Sequence, residues 1–152
     1  MLKPVKTQSI RVASSTFAIV ASKYNARFVN AMLRAAKTEI LRAGGKVQIV
    51  RVPGAYEIPV VAAKLARTQK FSAILCLGVI LRGATPHAQH IGEAVSNALV
   101  QIQIQHEVPV IHEVLLLENE QQAVERCLDK KHNRGTEAAQ TALAMARVMA
   151  TL

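Results

Sequence analysis

The segment Leu81-Arg82-Gly83-Ala84-Thr85-Pro86-His87 carries the residue types of an anion site with a proton-transfer group beside it. Gly83 permits a tight turn, Thr85 is a good N-cap, and Pro86 suits the first helical position, where its missing N–H would go unpaired anyway. A helix opening here leaves the amides of Gly83, Ala84 and Thr85 near the positive end of its dipole, an arrangement that holds a phosphate. His87 lies within one turn, and an imidazole there can titrate near neutral pH and pass protons to a substrate held alongside. An ordinary capped helix with a surface histidine fits the same residues.

A second turn of this kind is Arg51-Val52-Pro53-Gly54-Ala55-Tyr56-Glu57, where Tyr56 or Glu57 could meet a ligand at exposed amides, or Glu57 could simply open a helix. Ser22-Lys23-Tyr24-Asn25 places one of only two tyrosines at a strand tip, where an aromatic can stack on a planar ring or pack at a rim. His87 and His90 are spaced i, i+3, but no third ligand lies at a supporting spacing, so no metal is expected. Arg126, Lys130, Lys131 and Arg134 can donate to a phosphate, or form a solvated run of charge. Cys76 and Cys127 show neither CxxC nor zinc-ligand spacing and read as reduced structural thiols.

The elements that must position these groups alternate short β-branched runs with longer segments of helical period, the pattern of an α/β domain around a parallel sheet. Strands are predicted at Thr16 to Ala21, Val47 to Val52, Ala73 to Leu81 and Val110 to Leu117. The first helix comes after Tyr24-Asn25 with Phe28, Met32, Leu33, Ala36 and Ile40 on its apolar face, and Gly44-Gly45 supplies left-handed positions at its end. Further helices are expected from Glu57 to Gln69 with Pro59 in the first turn, from Thr85 to His106, from Glu120 to Leu128, and from Gly135 onward. Residues 5–12 alternate partially and read as an extra strand for an exposed sheet edge. With no repeat and no linker, residues 1–152 read as one domain. Parallel order gives a flavodoxin-like three-layer α/β/α sandwich with a mainly parallel four-stranded sheet, in which ligands collect at the carboxyl ends of the strands.

Composition narrows the classes. Apolar residues make up 51% of the chain, enough for a core without metals or disulfides, and with Phe 3, Tyr 2 and Trp 0 that core is aliphatic. The longest charge-free apolar run, Phe71 to Leu81, falls well short of the roughly 18 residues of a membrane span. The opening residues MLKPVKTQSIRV lack an apolar block of signal-peptide length, so a cytoplasmic protein is expected. Residues 1–82 hold 14 Lys/Arg against Glu39 and Glu57, whereas residues 83–152 hold 5 basic and 8 acidic residues. That asymmetry could mark a nucleic-acid surface, an anionic substrate or charge-complementary packing between identical subunits; no nucleic-acid recognition motif accompanies it, and a nucleic-acid partner is not expected.

With these segments in place the chain resembles the lumazine synthase family of riboflavin biosynthesis over nearly its whole length. The resemblance rests on Lys23-Tyr24-Asn25, on Val52-Pro53-Gly54-Ala55-Tyr56-Glu57-Ile58-Pro59, on Leu77-Gly78-Val79-Ile80-Leu81-Arg82-Gly83-Ala84-Thr85-Pro86-His87, and on Glu125-Arg126 with Asn133-Arg134-Gly135. It implies condensation of 5-amino-6-ribitylaminouracil with 3,4-dihydroxy-2-butanone 4-phosphate, with loss of phosphate and water as the lumazine ring closes, and no cofactor. By the same resemblance Tyr24 stacks on the pyrimidine; Ala55, Tyr56, Glu57 and backbone at Val79, Ile80 and Leu81 complete its pocket. Gly83, Ala84 and Thr85 would hold the phosphate with Arg126 of an adjoining subunit, and His87 would transfer protons. His112 stands where the family generally places an aromatic from the neighbouring subunit over the pyrimidine.

The chain departs from the family pattern at Ala88-Gln89, at His112-Glu113, at Leu116-Leu117 and at Lys131-His132. The changed Ala88 and His112 positions raise an alternative: a non-catalytic lumazine- or flavin-binding shell protein of the same fold. The resemblance further implies a homo-pentamer with shared sites, which some members close into a 60-subunit icosahedral shell, coupling to riboflavin synthase, and an N-terminal segment, residues 1–12, that pairs with a neighbour's sheet.

Overall fold

The computed structural model describes residues 2–152. Four parallel strands, β1 (Thr16–Ser22), β2 (Lys46–Val52), β3 (Ala73–Leu81) and β4 (Val110–Leu117), form one sheet in the order β2-β1-β3-β4. Five helices cover it: α1 (Ala26–Arg42), α2 (Ile58–Arg67), α3 (His87–His106), the short α4 (Glu120–Ala123) and α5 (Arg134–Ala150). The three-layer sandwich read from the sequence is the observed fold, and β3 and β4 have the expected bounds.

Side chains alternate across the sheet, so each strand feeds two cores. Phe17, Ile19, Ala21, Leu75, Leu77 and Val79 pack toward α1 and α5. Ala18, Val20, Ile74, Cys76 and Ile80 pack toward α2 and α3. The central strand β3 is buried from Ala73 to Ile80, which is why it reads as an unbroken apolar run. The edge strand β2 is open to solvent at Lys46, Gln48 and Ile49. Both thiols are buried and unpaired, and burial pushes each up to about 12.

Several local expectations are corrected. Gly44 takes a left-handed φ of 92°, but Gly45 does not; a Cβ on Gly45 would lie 2.8 Å from Ile40 Cγ2 and 3.1 Å from the Phe17 ring, so that glycine is required by space. Ala55–Glu57 forms a 3-10 turn before α2, which therefore starts at Ile58 and stops at Arg67, with Gln69 at a φ of 57° beyond it. α3 begins at His87 with Pro86 as its N-cap rather than Thr85, because the Pro86 carbonyl already accepts the first helical bond from His90 N–H at 3.2 Å. Thr85 Oγ1 reaches His87 N only at 3.5 Å, the long limit of such a contact.

Residues 5–12 form no strand within this chain. Ile10 and Val12 bury themselves in the α1/α5 core instead, and isolated hydrogen bonds from Val5 to Lys131 O, Gln8 to Gln140 Oε1 and Val12 to Ala43 O hold the segment there. The helix expected over Glu120 to Leu128 is split: α4 gives way at Val124–Leu128 to a π turn, closed by Asp129 N–H donating to Val124 O at 3.3 Å.

Candidate active site

The turn after β1 is built by Asn25, which takes a left-handed φ of 58° at the start of α1, a conformation asparagine tolerates. Its side chain does not cap the helix; Nδ2 donates to Val79 O at 2.7 Å and ties the end of β1 to the end of β3. Lys23 and Tyr24 N–H donate to Val52 and Pro53 carbonyls at 2.7–3.0 Å, which draws the ends of β1 and β2 together. Arg51 strengthens the same junction by donating to Ala21 O and Ser22 O.

Gly54 lets these two turns close on each other. A Cβ there would lie 2.7 Å from Tyr24 Cδ2, so only glycine accepts the tyrosine ring at this distance. Glu57 Oε1 accepts Gly54 N–H at 3.0 Å and Glu57 N–H donates to Gly54 O at 3.2 Å, so this carboxylate braces the turn that presents Tyr56.

These strand ends surround a cleft of about 740 Å³. Tyr24, Ala55, Tyr56, Glu57, Val79, Ile80, Leu81 and His87 all line it. Both tyrosines of the chain are about two-thirds exposed there, at 65% and 64%, an unusual placement for an isolated monomer's aromatics but a suitable one for gripping a flat ring. Asn25, Gly54, His90, Ile91 and Ala94 complete the lining. His90, Ile91 and Ala94 were legible only as one helical face, at i+3, i+4 and i+7 from His87. His90 thus joins His87 on the cleft wall, and among the described residues no group of three His, Cys, Asp or Glu side chains could hold a metal.

Gly83, Ala84 and Thr85 form an exposed turn directly before α3, with no atom within 4 Å of the place a Gly83 Cβ would occupy. Arg82 anchors this turn: its N–H donates to Leu117 O at 2.9 Å, its Nε pairs with Glu118 at 2.7 Å, and its Nη2 donates to Gln89. The turn thus leads into the N-terminus of α3, which opens one residue later than expected, with Pro86 as N-cap and His87 at its first position.

A family model for 6,7-dimethyl-8-ribityllumazine synthase matches residues 14–150. The chain belongs to this family. It is also 37% identical over 147 residues to the 6,7-dimethyl-8-ribityllumazine synthase of Desulfotalea psychrophila, with 95% of each chain covered.

Five of the residues that the lumazine synthase resemblance assigned to substrate do not line this cleft: Gly83, Ala84 and Thr85 in the exposed turn before α3, and Arg126 and His112. Arg126 lies in the π turn, half-buried, with Nη1 3.4 Å from Gln122 O and 3.7 Å from Glu125 Oε2. His112 lies on β4, where Ser96 Oγ is 2.7 Å from its Nε2 and Val114 N–H reaches its Nδ1 at 3.2 Å. Although the residue as a whole is exposed, desolvation of its ring lowers the His112 pKa, outweighing a hydrogen bond to its own backbone that raises it. Its neighbour Glu113 points to the α5 side, where burial first and the Glu137 carboxylate second push it up to about 8 against the opposing charge of Arg134.

Among the described residues, no helix is long and apolar enough to cross a membrane.

Proposed function

We propose that this chain catalyses condensation of 5-amino-6-ribitylaminouracil with 3,4-dihydroxy-2-butanone 4-phosphate to 6,7-dimethyl-8-ribityllumazine, and that its cleft is where the two substrates meet. The observation that carries this is the convergence of three strand ends, bearing Tyr24, Tyr56 with Glu57, and Val79 to Leu81 followed by His87, on one cavity. Tyr24 offers a ring face to the pyrimidine, while backbone at Val79, Ile80 and Leu81 and the turn at Ala55 and Tyr56 supply directional hydrogen-bonding groups to its edge. The Gly83–Thr85 turn and the opening of α3 receive the phosphate. His87 stands between the two regions, where amine addition to a ketone, loss of water and loss of phosphate each require a proton to be moved.

Holding two reactants in register supplies much of the acceleration in a condensation of this kind, so His87 assists a reaction that the pocket already favours. Arg126 and His112 enter the same scheme from an adjoining copy, because neither lines the cleft of its own chain. Val60 and Ile104, each 71% exposed, give α2 and α3 an apolar outer surface for such a neighbour. A homo-pentamer meets this need; pairing of the N-terminal segment with a neighbour's sheet edge would first have to release Ile10 and Val12 from the α1/α5 core, and closure into a 60-subunit shell is a further step. Cytoplasmic residence accords with the free thiols.

The test is absorbance-monitored condensation of the two purified substrates. The expected result is lumazine formation well above the uncatalysed rate, from a species that light scattering sizes as a pentamer or larger. A protein that binds the pyrimidine without forming product would reduce the chain to a carrier, and a monomer at micromolar concentration would sink the shared site.

A further inference from the structure

His112 is exposed, yet its imidazole is held at both nitrogens. A backbone N–H can only donate, so the 3.2 Å contact from Val114 N requires a lone pair on Nδ1 and places the ring proton on Nε2. Nε2–H therefore donates to Ser96 Oγ across 2.7 Å. This direction excludes the other sense of the bond, in which the imidazole would act as a base toward the serine. Protonating the ring would set a hydrogen on Nδ1 against the Val114 N–H, so the geometry and the lowered pKa favour the same neutral form. Both anchors are rigid: β4 pairs with β3 from Val110 to Leu117, and Ser96 lies in the middle of the 20-residue helix α3.

We propose that Ser96 is a positioning residue for the reaction: it holds the His112 imidazole in one tautomer and one ring plane, ready to present its flat face to the pyrimidine in an adjoining subunit's cleft. This rests on the reading of His112 as the stacking group. A phenyl ring at that place would need no such partner, since it has one charge state and no tautomers. An imidazole does need one, because an unfixed ring must be ordered each time substrate binds. Ser96 does not touch the pyrimidine; it acts through His112.

The experiment uses the full-length protein with Ser96→Ala, Ser96→Thr, His112→Ala, His112→Phe and the Ser96→Ala/His112→Phe double variant. Steady-state kinetics are measured with each substrate varied in turn, alongside ring nitrogen-15 NMR of His112. Ser96→Ala is expected to raise KM for the aminopyrimidine about three- to tenfold, the scale of one side chain left unordered, with kcat and KM for the butanone phosphate unchanged. The NMR pattern should move from the Nε2–H tautomer to a mixture. Ser96→Thr should restore both, and Ser96→Ala should add nothing in the His112→Phe background. The proposal is overturned if Ser96→Ala leaves tautomer and KM alone, or if its loss persists beside His112→Phe. If the tautomer shifts but neither Ser96→Ala nor His112→Ala changes the aminopyrimidine KM, the hydrogen-bond assignment survives and the stacking reading beneath the proposal falls.

Discussion

The ends of β1, β2 and β3 and the end of β4 are built from the same kind of strand, yet they offer different things. The first three converge on one cavity through short backbone bonds, a glycine pressed against a tyrosine ring, and a carboxylate bracing its own turn. The fourth leads instead to α4 and a π turn that carries Arg126 away from that cavity, with His112 on the strand itself pinned to α3. One region is a cleft lined by both tyrosines of the chain. The other keeps a cation and a ring outside that cleft, and the shared site proposed above would give them a use in an adjoining copy.

The sharpest way to break this comparison is Arg126→Ala. Removing a charge-assisted partner of a leaving phosphate should lower kcat/KM for the butanone phosphate by about 100-fold while the aminopyrimidine still binds, as titration calorimetry would show. Mixing denatured Arg126→Ala and His87→Ala chains and refolding them together should then restore part of the activity, since some sites would draw each intact residue from a different copy; no recovery would place both residues in one chain's site. His87→Ala alone should slow kcat about 10- to 100-fold without abolishing product, and a complete loss would mean that proton transfer, rather than the positioning of two reactants, dominates the acceleration.

Gly54→Ala sharpens the other half. The added methyl must displace the Tyr24 ring, and the aminopyrimidine KM should rise about tenfold with kcat less affected, whereas an unchanged KM would separate Tyr24 from substrate. The smallest effect concerns Glu113. Its carboxyl keeps a proton in the folded chain at pH values where the unfolded chain has released it, so between pH 4.5 and about 8 the native state binds more protons and stability falls as pH rises. Calorimetry should show Tm declining across that window, and Glu113→Gln should flatten the decline.

The legible and illegible parts of the molecule divide along the same line. β3 and β4 could be bounded from sequence because unbroken burial writes an unbroken apolar run, and the five apolar positions expected on α1 are all buried. Tyr24, Tyr56, Glu57 and His87 were legible because each sits across a short turn from a strand end. The π turn was not, since one extra residue in a helical coil leaves the 3.6-residue spacing nearly intact while rotating the side chains beyond it, that of Arg126 included. The N-terminal segment misled because Ile10 and Val12 alternate as a strand would, but find helices α1 and α5 to cover them. Ser96 carried no signal at all; a serine in a helix interior gains meaning only when β4 brings His112 to it.

The two cysteines lie in these two regions, and their burial makes them clocks. A thiol held near pKa 12 in a dry core is almost inert to alkylating reagents until its surroundings open. Cys76 belongs to the central strand and can be modified only when the sheet comes apart, whereas Cys127 needs only the π turn to loosen. The native protein therefore contains a matched pair of reporters, and the ratio of their labelling rates reads how often the arginine-bearing turn breathes independently of the rest of the molecule.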